Sequence, residues 1–454
     1  NGFRYYDFVD DDSHQSKTKI FIYYFQNTPE KFILKLAEKS KVVGISATAL
    51  INTVTGNYDV KYLNRQLGSK FIKLSEQEKK LLSDLFAEQN KYYNKISIKT
   101  KWLDFNDIEN DFEVLFENKE LANHIIQKLK NLNTNEYLLN RYLKISYSFK
   151  QFLIKNDIKG FLCLLNKEPI LTDKALDLNI LEEIFEILIE ETTKKKHLFL
   201  SKDSNKFNVK NSYTIINSDD FENKKQSFIK RLQKGKKIFI ISMYQTMGAG
   251  QNLQFISSNP KELINIRSRD LEDWNKEKKT DINAIYLDKP THIIQKVDKN
   301  LNEEGFIKYL FQLEFLAQVG FLSVDQLNYQ VTAAFKYLLA SLNTTKKLNS
   351  PNNGYLYRNN NMKQHYAKYV IQAIGRICRT NLKSPSIYIY ADKELSKHIC
   401  DFDVEKNLVL NEFKELVKSS KQITESQNHA NLQLKNRASS TNRKVYAKIK
   451  KFIS

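Results

Sequence analysis

Lys237-Ile-Phe-Ile-Ile-Ser242, followed directly by Met243-Tyr-Gln-Thr-Met-Gly-Ala-Gly-Gln-Asn-Leu253, sets the class of fold. The run Ile238 to Ile241 is apolar enough for a strand at the centre of a parallel sheet. Working outward, Phe221 to Lys234 has helical periodicity and ends at Gly235, a residue suited to a helix cap. Before it lie two short strand-like runs, His197-Leu-Phe-Leu-Ser201 and Tyr213-Thr-Ile-Ile-Asn217. After it come Ile282-Asn-Ala-Ile-Tyr-Leu-Asp288 and Ser386-Ile-Tyr-Ile-Tyr390. Strand and helix alternating in this way predict a doubly wound α/β domain over about 197–400. Asn300 to Val319 and Val324 to Leu342 read as helices, so a helical insertion is expected at about 297–345. A polar loop, Asn349 to Met362, follows, and then a helix from about His365 to Arg379.

Upstream, Glu30 to Lys39 reads as a helix and Lys41-Val-Val-Gly-Ile45 as a short buried strand closed by Ser46-Ala-Thr48. Residues 1–74 therefore read as part of an α/β lobe. From about 75 to 196 amphipathic helical patterns dominate (Glu76 to Lys95, Asp111 to Leu132, Ile180 to Thr193), predicting a helical insertion. Residues 401–454, with the basic segment Asn436 to Lys451, read as the start of a further helical region. The chain opens Asn1-Gly-Phe without a Met, and the expectation is a fragment of a longer protein.

A formal charge of +20 points to a polyanionic partner, most simply nucleic acid. Lys and Asn richness from an AT-rich genome accounts for the same charge equally well. Hydrophobic content of 41% excludes a disordered chain. Cys163, Cys378 and Cys400 form no C-x-x-C pair and the seven His residues show no ligand spacing, which predicts no metal site and a reducing, cytoplasmic location. No apolar run approaches ~18 residues, so no membrane span is expected.

Chemistry concentrates in three places. Gln372-Ala-Ile-Gly-Arg376-Ile-Cys-Arg379 places two arginines three apart in a chain where 72 Lys and Arg residues include few Arg. On a helix they would share a face, and two guanidinium forks suit a polyphosphate better than lysines do. The alternative is a surface helix with solvated Arg. In the segment after Ser242, Gly248 and Gly250 permit close backbone approach, and Ser242 and Thr246 can donate to phosphate oxygens. An ordinary glycine turn has the same appearance. Ser46-Ala-Thr48 alone is a weak signal, equally a Ser/Thr turn closing a strand. Lys91-Tyr-Tyr-Asn-Lys95 could stack bases but more often marks core aromatics with solvated lysines.

In their order along the chain, Ser46-Ala-Thr48, Ser242 to Leu253 and Gln372 to Arg379 resemble the third, fifth and sixth motifs of superfamily-two helicases and translocases. The resemblance covers the frame from about Lys41 to Asp392. It implies RecA-like lobes, ATP with Mg2+, and nucleic acid as partner, with DNA preferred over RNA on the fifth motif. It implies that Arg376, Arg379 and Gln372 meet the γ-phosphate, that Gly250 and Asn252 reach the nucleotide sugar or lobe interface, and that Gly375 allows close helix packing. Ser46, Thr48, Ser242, Thr246 and Gly248 would contact the nucleic-acid backbone. Many relatives carry Asp where Asn252 stands; chromatin-remodelling translocases use Asn in a similar context.

The family's Gly-x-x-x-x-Gly-Lys-Ser/Thr loop does not occur in the sequence, and neither does its Asp-Glu-x-His/Asp site. Asp10-Asp-Asp-Ser-His14 resembles the latter superficially but lacks the Glu. The metal ligands are therefore expected outside this chain, and the isolated chain is expected to be inactive as an ATPase. A bacterial DNA-processing or phage-defence helicase is the expectation, with helical insertions that could carry a protein partner. The alternative is a non-hydrolysing, helicase-like scaffold that binds nucleic acid or a partner protein.

Overall fold

The structure is a computed structural model. It describes residues 2–10, 16–24, 28–44, 48, 51, 53, 58–132, 135–173, 175–199, 209–247, 252–267, 278–291, 297, 302–318, 320–342, 360–405 and 409–426. The chain divides into two compact units.

The larger unit, Lys79–Pro290 with Tyr369–Ser454, is built on six strands. These are β1 (Ser97–Leu103), β2 (Gly160–Leu165), β3 (Tyr213–Ile216), β4 (Ile238–Met243), β5 (Ala284–Leu287) and β6 (Ser386–Asp392). They form one sheet in the order β1-β6-β5-β2-β4-β3. All five pairings are parallel. The order reverses at β2, which has β5 on one side and β4 on the other. Such a reversal opens a crevice at the carboxyl ends of the strands.

On one face, Phe161, Cys163, Phe239, Ile241, Tyr286 and Tyr390 pack against helices Ile108–Phe116, Lys119–Asn131, Glu136–Ile154 and Leu178–Phe199. Phe149 stacks on Phe185 at 3.9 Å and meets Phe239 edge-on at 5.2 Å, joining two helices to β4. Leu162, Ile240 and Ile285, one residue out of phase, are also fully buried. Burial on both faces explains why these strands are continuous apolar runs. Gly160 opens β2 because a Cβ there would stand 2.4 Å from Ile282 Cγ2. The helix Phe221–Gln233 ends as expected at Gly235, with φ +71°. Lys236 N–H donates to Arg231 O and Gly235 N–H to Leu232 O, the paired bonds of a Schellman cap.

The sequence-based organisation needs four corrections. Residues 75–196 are not a helical insertion, because they supply β1 and β2 of the central sheet. Six apolar residues of β2 between long helices carry no period that separates strand from buried helix. His197–Phe199 is the last turn of Leu178–Phe199 rather than a strand; 200 and 201 lie outside the described residues. The region after 400 is helical at 411–426, as read, but this helix belongs to the same unit as the sheet. Phe413, Leu416 and Val417 of the helix at 411–426 are buried, and Trp102 Nε1 of β1 donates to Ser419 Oγ at 3.0 Å. The doubly wound domain thus starts far upstream of 197, and it excludes 291–368.

The smaller unit is Asn1–Glu78 with Thr291–Lys368. Gly2–Asp10 and Ser16–Tyr24 form an antiparallel hairpin that the sequence reading missed. Asp10 ends its first strand; 11–14 lie outside the described residues. Lys41–Gly44 is the fourth correction. It is neither helix nor strand, and Val43 is 80% exposed. With no strand paired to it among the described residues, its apolar run does not become a sheet element. Helices Glu303–Gln318 and Val324–Leu342 fall on the two helical runs read from the sequence and pack through Phe306 on Phe335 at 4.7 Å.

Candidate functional site

The arginine segment is built differently from its expected form. The helix Asn360–Ile374 ends before either arginine, so the two do not share a helical face. Gly375 and Arg376 form a turn, with Arg376 N–H donating to Ala373 O at 3.0 Å. Arg376 is 2% exposed, whereas Arg379 lies at the surface. Burial, together with the neighbouring charge of Arg379, lowers the Arg376 pKa to about 10. It remains a cation at neutral pH. Arg379 Nε donates back to Gly375 O at 3.1 Å, tying the second guanidinium over the helix end.

A buried carboxylate fixes this turn. Asp281 Oδ2 accepts from the Arg379 N–H (2.8 Å), the Thr380 N–H (2.7 Å) and the Thr380 hydroxyl (2.7 Å). Lys383 Nζ lies 3.3 Å from the same oxygen and 3.9 Å from Glu412 Oε1. Burial alone would depress the Lys383 pKa, but Cys378, Asp281 and Glu412 around it raise it instead. The cluster sits at the amino ends of β5 and β6.

The carboxyl-end crevice holds a second buried cluster. Arg141 Nη2 meets Asp288 Oδ2 at 3.2 Å, and Asn166 Nδ2 donates to the same oxygen at 2.7 Å. Lys144 Nζ meets Asp392 Oδ2 at 2.9 Å. Tyr244, just beyond β4, donates its hydroxyl to Asp288 O at 2.7 Å. Its ring also meets Tyr369 edge-on at 6.0 Å, which places the segment after β4 beside the helix that precedes the arginine turn.

Other expected site residues divide sharply. Ser242 is fully buried, and its hydroxyl donates to Ile216 O at 2.8 Å. It joins β4 to β3 and has no surface at which to meet a nucleic-acid backbone. Thr246 is half-buried in the following turn, and Asn252 is exposed, its amide donating to Gln254 Oε1 at 3.0 Å. Gln372 is half-buried in the last turn of its helix. Among the described residues, a Cβ at Gly375 would meet only the Ile371 and Gln372 carbonyls, and no second helix. Thr48 is buried in a turn in which Ile51 N–H donates to Thr48 O. It belongs to the smaller unit. Ser46, Gly248 and Gly250 lie outside the described residues.

Lys91–Lys95 is a 3-10 turn in which Tyr93 hydrogen-bonds Glu412, so this ring serves the core and not a base stack. Among the described residues, no group of three His, Cys, Asp or Glu could hold a metal ion. No described helix is long and apolar enough to cross a membrane. Asp281, Lys383, Glu412 and Asp288 were not anticipated, because isolated charged residues beside strands carry no spacing pattern. No protein-family model and no curated protein matches the chain.

Proposed function

We propose that this chain supplies the arginine half of the nucleotide site of an ATP-dependent superfamily-two helicase or translocase acting on nucleic acid, DNA before RNA. One observation carries the reading. A buried guanidinium, Arg376, is held beside a second, Arg379, on a turn fixed to a parallel α/β sheet. Such a pair suits the terminal phosphate of a nucleoside triphosphate, where negative charge redistributes as the phosphoryl bond breaks. Supporting it are the order of the three motifs and the +20 charge. The exposed Asn252 and half-buried Thr246 are available to a sugar–phosphate backbone, a role not extended to Ser242.

The residues fit a polyphosphate anion. Among the described residues they include no carboxylate set for Mg2+. In this reading a bound nucleotide supplies the bond whose cleavage drives motion. Arg376 and Arg379 hold charge at its phosphate end, and Gln372 lies one turn before them. The test is nucleic-acid-stimulated ATP hydrolysis by the full-length protein. Arg376→Ala and Arg379→Ala are each expected to lower turnover about 10³-fold or more, while nucleic-acid affinity changes little. Unchanged turnover in both variants contradicts the proposal. Nucleic-acid binding without any turnover in the full-length wild type makes the protein a scaffold instead.

A further inference from the structure

We propose that Asp281 is the positioning residue of the arginine turn, holding Arg376 and Arg379 together as a preformed polyphosphate site; this rests on the reading of that turn given above. Asp281 lies 98 residues before Arg379, directly after the short strand Lys279–Thr280 and ahead of β5. Among the described residues, every hydrogen bond its carboxylate accepts comes from residues 379–383 and falls on Oδ2. Oδ1 has no hydrogen-bond partner among the described residues. Two successive amides aimed at one charged oxygen fix the backbone of Arg379 and Thr380. The Nε bond from Arg379 to Gly375 O then sets where its guanidinium lies relative to Arg376.

Two like charges in a turn repel, so a turn that keeps them adjacent needs an external restraint. Asp281 provides it from just beyond the strand Lys279–Thr280, and Lys383 holds Asp281 in turn. Glu412 closes the cluster from the helix at 411–426, meeting Lys383, Tyr93 and the Cys378 thiol, whose pKa burial and this carboxylate push up. Buried carboxylates are costly ways to close a loop. Here both meet Lys383, and between them they contact residues 378–380 of the segment that carries the guanidinium pair.

The test uses the full chain with two readouts, amide hydrogen exchange at Arg379 and Thr380 and titration with inorganic tripolyphosphate. In the wild type both amides are expected to exchange about 100-fold or more slowly than exposed loop amides. Asp281→Ala is expected to lose that protection and weaken tripolyphosphate binding about 10-fold or more, as Arg376→Ala and Arg379→Ala do. Asp281→Asn keeps an acceptor and is expected to retain protection and bind within about threefold of wild type. Unprotected amides in the wild type overturn the proposal. So does Asp281→Ala binding tripolyphosphate like wild type while Arg376→Ala does not. If Asp281→Ala fails to fold, Asp281→Asn decides: lost binding with intact protection assigns the effect to charge and overturns positioning. If Arg376→Ala and Arg379→Ala both bind like wild type, the reading of the turn fails instead, and amide protection alone judges Asp281.

Discussion

Arg141 and Arg376 are both buried in the same unit, yet their surroundings are opposite in sign. Arg141 faces Asp288 at 3.2 Å, and although burial opposes its charge, that carboxylate raises its pKa. Arg376 faces the charge of Arg379, which adds to burial and lowers its pKa. The first cluster is balanced internally, with Lys144 on Asp392 repeating the pattern one strand away. The second concentrates positive charge beside an exposed guanidinium. A buried ion pair of this kind serves the fold, whereas a buried guanidinium beside an exposed one is the arrangement on which the proposed anion site rests. The balanced cluster also lies at the carboxyl ends of the strands, where α/β sheets commonly bind ligands. The arginine turn stands instead at the amino ends of β5 and β6.

Mutations can break this contrast. Arg141→Ala carries the largest expected effect, about 3–5 kcal/mol of stability in urea unfolding, because it leaves Asp288 buried without its cation. A loss under about 1 kcal/mol would mean that the pair is not structural. Lys144→Ala is expected to cost less, about 1–3 kcal/mol at pH 7, and to depend on pH. Burial already raises the Asp392 pKa while Lys144 opposes the rise, so removing the lysine raises it further. The folded state then holds this proton more tightly than the unfolded chain. Stability therefore falls as pH rises from the ordinary aspartate value, about 3.9, to the raised one, and acidification should recover it. A variant equally destabilised at pH 4 and pH 7 would refute the coupling.

Much of the sheet is legible in sequence, and the reason is chemical. Tyr213–Ile216, Ile238–Met243, Ala284–Leu287 and Ser386–Asp392 are β-rich apolar runs bounded by turns. Gly160–Leu165 is equally apolar, but between long helices it carries no distinguishing period. Ser97–Leu103 places Lys99 and Lys101 on its exposed side, as an edge strand does, and so lacks the continuous apolar run that marks the central strands. The arginine pair is legible as a motif, whereas its geometry is not. Helical spacing places Arg376 and Arg379 on one face, but the helix stops at Ile374. What replaces that face is a turn held by Asp281, a contact across 98 residues that no local pattern encodes. Ser242 shows the converse. A strand-terminal serine beside glycines looks like a phosphate donor, and only its bond to Ile216 O reveals a structural role.

The most direct measurement of the contrast is thermal unfolding of wild type and Arg376→Ala, each with and without inorganic tripolyphosphate. Without the anion, the variant is expected to lie within about 1 kcal/mol of wild type, since it loses packing but also a buried cation facing Arg379. At about 100 times the dissociation constant the anion should stabilise wild type by about 2.7 kcal/mol and leave the variant unmoved. A variant that melts as low as Arg141→Ala, or rises with tripolyphosphate as wild type does, would contradict the assignment of Arg376 to an anion site.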